Sequence, residues 1–415
     1  MHGQTGFCFD LQCPQCGAPA ELGETERIVD CPYCRVRHLT VTRPHPVSAI
    51  PPHPDLDESS TLYVPYWRFK GMALALVQDR IAHRLLDTSR LALTGSRLPP
   101  SLGLRSQTQR LLFVTPDMQG GFLRPTISRK GLLASLSSRQ LGLGPRRSRD
   151  ELVQAHVGDV LSLIYFPVVI RQGDVLDGLT GDHLAAPAEE LQQAERCGPP
   201  QTLSFLPALC PHCGWDLGGP GDSLVLPCEH CGRFWTDGRG QLRQVRCRCQ
   251  PSTGQDSQSL PFWEFQVTSD TLPLSSYADL IRLANLPRPL SPAMQERPLV
   301  FRIPAFKINP ALFLRLARQM TVVSLSQDDS AGQASGQTMF PVTLPAREAY
   351  QALPMLLCRL ARNKRTTAAA LKKAKLKPKR VRLHYLAFSR RYGELVHDQA
   401  GLSLQENAIR FGRML

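Results

Sequence analysis

Hydrophobic and polar positions change period several times along the chain, and each change marks an element. Leu161 to Ile170 is almost wholly apolar and has the length of a strand. Gln172-Gly173-Asp174 follows, and glycine-bearing turns of this kind close hairpins, so Val175–Leu179 is expected to return beside it. Gly173–Asp182 is rich in acids and glycines but lacks EF-hand spacing, so it reads as tight turns. Val64-Pro65-Tyr66-Trp67-Arg68-Phe69 and Leu260-Pro261-Phe262-Trp263-Glu264-Phe265 place a charge between tryptophan and phenylalanine. That alternation predicts half-buried strands packed on one face. An exposed aromatic platform for bases or a peptide is the second reading.

Helical spacing appears later. Asn309-Pro310 opens an amphipathic helix to about Met320, with Asn309 as N-cap and Pro310 in the first turn. Ala346–Arg362 carries Leu353, Leu356, Leu357 and Leu360 on one face, with a bend expected at Pro354. The Ala/Lys-rich run from Ala368 is expected to stay helical as far as Pro378. Val381–Phe388 reads as a strand, Tyr392-Gly393 as a turn, Glu394–His397 as a strand and Leu404–Phe411 as a helix. Gln327–Gln337 reads as a loop. Proline is 35 of 415 residues, which disfavours an all-helical bundle. The expected class is α+β, rich in β-structure.

Thirteen cysteines change this picture. Eight fall into two identical frames: Cys13, Cys16, Cys31 and Cys34, then Cys210, Cys213, Cys228 and Cys231. Two cysteines separated by two residues can reach one ion from a single tight turn, and two such turns complete a tetrahedral shell. Both blocks, roughly 11–41 and 209–236, resemble the four-cysteine zinc ribbon. The resemblance implies two structural Zn2+ ions and no open coordination position for catalysis. Rubredoxin-like iron and a redox dithiol are the weaker alternatives. His38, His212 and His230 adjoin the frames but are not expected as ligands, since four sulfurs already fill the shell. Cys247 and Cys249 are read as ordinary loop cysteines, with a small accessory or redox site as the alternative. Cys8, Cys197 and Cys358 are read as plain thiols.

The two frames are offset by 197 residues, and Trp67 and Trp263 by 196. A weaker echo relates Leu163–Val168 to Leu299–Pro304. The expectation is an internal duplication of a ribbon-plus-β unit with a helical C-terminal extension. The first repeat would span 1–181, with a basic insertion at 90–149. A linker at 182–201, a second repeat at 202–340 and the extension at 341–415 would follow.

Charge sharpens the functional reading. Lys plus Arg number 49 and Asp plus Glu 35, a net charge of +14. Residues 90–149 carry +10 and residues 359–382 carry +11, which leaves −7 on the rest. Localised positive charge implies an anionic partner. Arg146, Arg147, Arg149, Lys372, Lys373, Lys375, Lys377, Lys379 and Arg380 are the expected phosphate contacts. The reading is a non-enzymatic zinc-ribbon protein that binds nucleic acid or nucleoprotein. An adaptor that grips a protein partner is the alternative, and an acidic protein or an anionic membrane surface suits the arms less well. No P-loop, GxGxxG, HExxH or GxSxG pattern occurs, so no enzyme class is indicated. No run is long enough to span a membrane and no secretory pattern opens the chain, so a cytoplasmic location is expected.

Overall fold

A computed structural model describes residues 8–56, 58–104, 109–136, 151–200, 202–251, 256–323 and 338–413. The first half begins β1 (Cys8–Gln12), β2 (Pro19–Gly23), β3 (Ile28–Asp30), β4 (Arg37–Thr42) and β5 (Val47–Ala49). It continues with β6 (Thr61–Val77), β7 (Arg80–Leu91), β8 (Leu111–Phe113), β9 (Gly121–Leu123), α1 (Arg129–Ser135) and β10 (Glu151–Arg171). β11 (Asp174–Asp177), β12 (His183–Leu184), α2 (Ala188–Gln193) and β13 (Arg196–Cys197) complete it. The second half opens with β14 (Leu203–Pro207), β15 (Leu226–Pro227), β16 (Phe234–Asp237), β17 (Leu242–Val245), β18 (Cys247–Cys249) and β19 (Ser257–Thr268). Then come α3 (Tyr277–Ala284), α4 (Pro292–Glu296), β20 (Phe301–Pro304), α5 (Pro310–Val323), β21 (Thr338–Met339), α6 (Ala346–Gln351) and α7 (Leu353–Leu360). The chain ends with α8 (Lys364–Lys373), β22 (Lys377–Arg391), β23 (Glu394–His397), β24 (Leu402–Gln405) and α9 (Glu406–Gly412). The class is mixed α+β.

The apolar stretches become the longest strands. β6 and β10 pair antiparallel at the centre of an 11-stranded sheet, with Trp67 opposite Leu163. β19 and β22 pair antiparallel at the centre of a 7-stranded sheet, with Trp263 opposite Leu383. β5 runs parallel to β10 with Val47 opposite Leu163, and β18 runs parallel to β22 with Cys247 opposite Leu383. Both long strands turn on a pair of residues with positive φ, Gln172-Gly173 and Tyr392-Gly393. That conformation matches the twist of a two-residue hairpin, and the expected return strand is β11.

The strand beside β19 that occupies the place of β10 beside β6 is thus β22. The sequence echo pointed instead to Leu299–Pro304, which contains β20. β20 pairs on the other side of β19, with Pro304 opposite Phe262. Short apolar runs resemble one another by composition; only the pairing register separates them.

The PxWxF strands are not half-buried. Residues 61–69 are buried without a break, and so is Leu260–Phe265, with Arg68 and Glu264 each 1% exposed. One apolar cluster covers Val64, Tyr66 and Ile164 on one side of the first sheet. Another covers Tyr63, Trp67 and Phe69 on the opposite side. With both faces covered, alternation no longer separates wet from dry positions. Each indole donates to a loop carbonyl, Trp67 Nε1 to Ile127 O at 2.7 Å and Trp263 Nε1 to Leu344 O at 2.8 Å. The largest cluster joins Phe262, Phe313, Leu356 and Phe388 to Met72 and Leu74 of β6, so the two halves share a core. Each such side chain contributes about 1.5–3 kcal/mol by burial.

Other boundaries follow local rules or break them. α5 starts at Pro310, and Asn309 Oδ1 accepts from Ala311 N at 2.9 Å. Pro354 falls in the first turn of α7, so the expected long helix is split into α6 and α7. The Ala/Lys run leaves the helix early: α8 ends at Lys373, and Lys377 is already in β22 opposite Thr268. Strand pairing overrides helix propensity there. Residues 183–197 form β12, α2 and β13, with Leu191 fully buried against the first sheet. Gln327–Gln337, Arg146, Arg147 and Arg149 lie outside the described residues. Among the described residues, no helix is long and apolar enough to cross a membrane.

Candidate metal centres

Each CxxC pair sits on a turn of the same build. Gly17 N donates to Cys13 O, Arg35 N to Cys31 O, Gly214 N to Cys210 O and Gly232 N to Cys228 O, all at 2.8–2.9 Å. The donor residue in every case has positive φ, between 59° and 73°. Three of the four are glycine, as the left-handed region prefers. Arg35 adopts the same conformation with a full side chain, so the metal turn and not the residue sets the geometry.

The turns bring four sulfurs together twice. In each group all four lie within 4.8 Å of one another. Cys13 Sγ is 3.7 Å from Cys34 Sγ, and Cys16 Sγ is 3.7 Å from Cys31 Sγ. The matching separations in the second group are 3.6 Å and 3.5 Å. A tetrahedron of thiolates about 2.3 Å from an ion has an edge of about 3.8 Å. The donor set therefore fits one metal ion per group, in a zinc-ribbon-like arrangement. Backbone amides favour the thiolate form at one sulfur of each group. The N–H groups of Cys34 and Tyr33 hold the Cys31 thiol low, to about 6. Burial pushes Cys210 up, but the amides of Cys213 and His212 outweigh it and bring the thiol to about 6.

The two centres are built on one body. β14, which leads into the second group, pairs with β4 of the first. Ile28 and Leu39 share a core with Cys210, Leu217, Leu226, Cys228 and Trp235. Arg37 donates to Leu217 O at 2.7 Å and Gly219 O at 2.9 Å, and Ile28 N donates to Gly221 O at 3.1 Å.

The neighbouring histidines stay out of the sulfur groups. His38 is buried in β4 against Phe205, its basicity lowered by burial, and neither ring nitrogen has a partner among the described residues. His212 and His230 are exposed, and His230 stacks on Trp215 at 5.2 Å. Cys247 and Cys249 lie on β18, not in a loop; burial pushes the Cys247 thiol up, while its hydrogen bond to Cys249 holds the second thiol low.

Lys372 and Lys373 end α8, Lys375 follows, and Lys377, Lys379 and Arg380 open β22; all six are exposed. They follow one another along one stretch of chain. Sequence reasoning missed two buried ion clusters. Arg68 bonds Asp87 at 2.6 and 2.7 Å and Glu24 at 2.6 Å, and Lys70 reaches Glu24 at 2.9 Å. Glu264 accepts from Arg302 at 2.9 Å, from Arg382, and from His384 at 2.8 Å. Burial raises the Glu264 carboxyl, but the bond to His384 and the charges of Arg302 and Arg382 hold it far below the usual range. A charge inside an unbroken aromatic run was the available signal.

No family model, curated protein or solved structure matches the chain.

Proposed function

We propose that the chain is a non-enzymatic protein with two structural zinc ions that binds nucleic acid or nucleoprotein through its basic segments. The observation that carries this reading is the exposed run of cations from Lys372 to Arg380. Lysines on a flexible stem neutralise phosphates as mobile point charges. Arg146, Arg147 and Arg149 belong to the same reading. Zinc suits four thiolates in a closed tetrahedral shell better than the other common ions. A reducing, cytoplasmic compartment suits free thiolate ligands. An internal duplication accounts for the matched registers of β6 with β10 and β19 with β22.

The test is charge reversal of Lys372, Lys373, Lys377 and Lys379 in the full chain, read by fluorescence anisotropy on an oligonucleotide across a salt series. The expected result is a loss of at least about tenfold and a shallower salt slope. Unchanged affinity and slope would remove the reading.

The adaptor reading has one observation of its own. Tyr33 is 68% and Trp215 is 59% exposed, both on the metal turns. Aromatic side chains held on a rigid support are typical anchors of protein interfaces. Alanine at both, with loss of a co-purifying protein and retained oligonucleotide binding, would favour the adaptor.

A further inference from the structure

A cleft of about 430 Å³ opens where the two halves meet. β4, β10, β16, Trp263 of β19 and the start of α6 wall it. Volume and position at a junction are those of a small-molecule site. Arg27, Arg129 and Arg347 reach it, and Asp237 and Glu348 are its acids. Both acids are already engaged. Asp237 pairs with Arg43 at 2.5 Å and accepts from Gly240 N at 2.9 Å. Glu348 accepts from Gly158 N at 3.3 Å. Its closest approach to Arg129 is 3.8 Å, beyond hydrogen-bond distance. Three arginines thus line the cleft with two carboxylates, and one of these, Asp237, is already neutralised by Arg43 from outside the lining. Arg347 is exposed on the rim and makes no ion pair among the described residues.

The rest of the lining is chemically different. His45 lies edge-on to Trp67 at 4.7 Å. Burial, and then the charge of Arg129, lower it to about 4, so it offers a neutral imidazole at physiological pH. Leu39, Val41, Leu161, Val225 and Trp263 give the cleft an apolar wall. Guanidinium forks match phosphate oxygens in pairs, whereas an apolar wall takes a weakly hydrated body and the indole of Trp263 in it suits an aromatic one.

We propose that this cleft binds a phosphate monoester with a flat aromatic body, its phosphate on Arg129 and Arg347 and its body against the wall that includes Trp263. The site is separate from the lysine strip and does not depend on it.

Full-length, metal-loaded protein is titrated by calorimetry with adenosine 5′-monophosphate, phenyl phosphate, adenosine and inorganic phosphate. The monophosphate is expected to bind at least about tenfold more tightly than adenosine, and R129Q and R347Q each to weaken it about tenfold. Equal binding of phenyl phosphate would assign the site to aromatic phosphate esters in general, and weaker binding would assign it to nucleotides. Absence of binding by both esters up to about 10 mM would overturn the proposal. So would inorganic phosphate binding as tightly as either ester, or unchanged affinity in both variants. Arg347 is exposed, so R347Q retains the fold and keeps the test decisive if R129Q does not.

Discussion

Arg68 and Glu264 stand one residue past the tryptophans of β6 and β19, at the centres of the two sheets, with opposite charge. Each is buried and each is completed by partners far along the chain. Arg68 draws on Glu24 and Asp87, with Lys70 beside them, so two cations meet two anions. Glu264 faces Arg302, Arg382 and His384. The sheet centre therefore tolerates either sign, provided the counter-charges arrive with the fold. The two clusters differ in what remains when the central residue goes. Without Arg68, Lys70 still pairs with Glu24, and Asp87 retains 24% exposure. Without Glu264, two guanidiniums with side chains under 10% exposed and one imidazole lose the carboxylate they share.

The largest expected effect removes the support both halves share. Chelation of the metal should abolish the ribbon fold, since structural zinc supplies roughly 10–16 kcal/mol of apparent binding free energy per site. Because Ile28 and Leu39 pack on Cys210 and Leu226, Cys228→Ser should also loosen the first centre. Metal counting and amide exchange on β3 and β4 would show it. Protection of β3 and β4 equal to the parent would mean that the centres are independent.

Next, Glu264→Gln should cost about 3–5 kcal/mol in urea unfolding, and Arg68→Met clearly less, because Glu264 is shared by two guanidiniums and an imidazole whereas Glu24 keeps Lys70 when Arg68 goes. Equal costs would break the comparison. The acid limb sharpens it further. The Glu264 carboxyl is held below its ordinary value of 4.5, so the unfolded chain takes up the proton first. Its stabilisation is complete above that value and is lost as pH falls below it toward the folded-state value. Urea midpoints between about pH 7 and 3 should fall in the parent and flatten in Glu264→Gln. The smallest effect is on the turns. Arg35→Gly should add about 0.5–1 kcal/mol by relieving the left-handed conformation that the other three turns assign to glycine. A thermal shift of the metal-loaded protein measures it.

The sequence reveals what is local. The eight cysteines are legible because two residues of spacing and one turn decide whether sulfurs converge. The hairpin at Gln172-Gly173 and the start of α5 at Pro310 are legible for the same reason. Arg68 and Glu264 were misplaced because their partners include residues 44 and 120 positions away. The end of α8 was misplaced because β19 supplies a pairing edge that no Ala/Lys composition records. The lysine strip was legible as charge. Its role rests on a partner.

Arg37 and the carbonyl it caps at Leu217 are 180 residues apart. At about 5–20 residues per second, a ribosome needs about 10–40 s to deliver the second after the first. For that interval Ile28 and Leu39 have no covering surface. The first sulfur group is therefore complete, and able to take its ion, well before its neighbour exists. An ion taken up there during that interval would hold β3 and β4 in place while Ile28 and Leu39 wait for their cover.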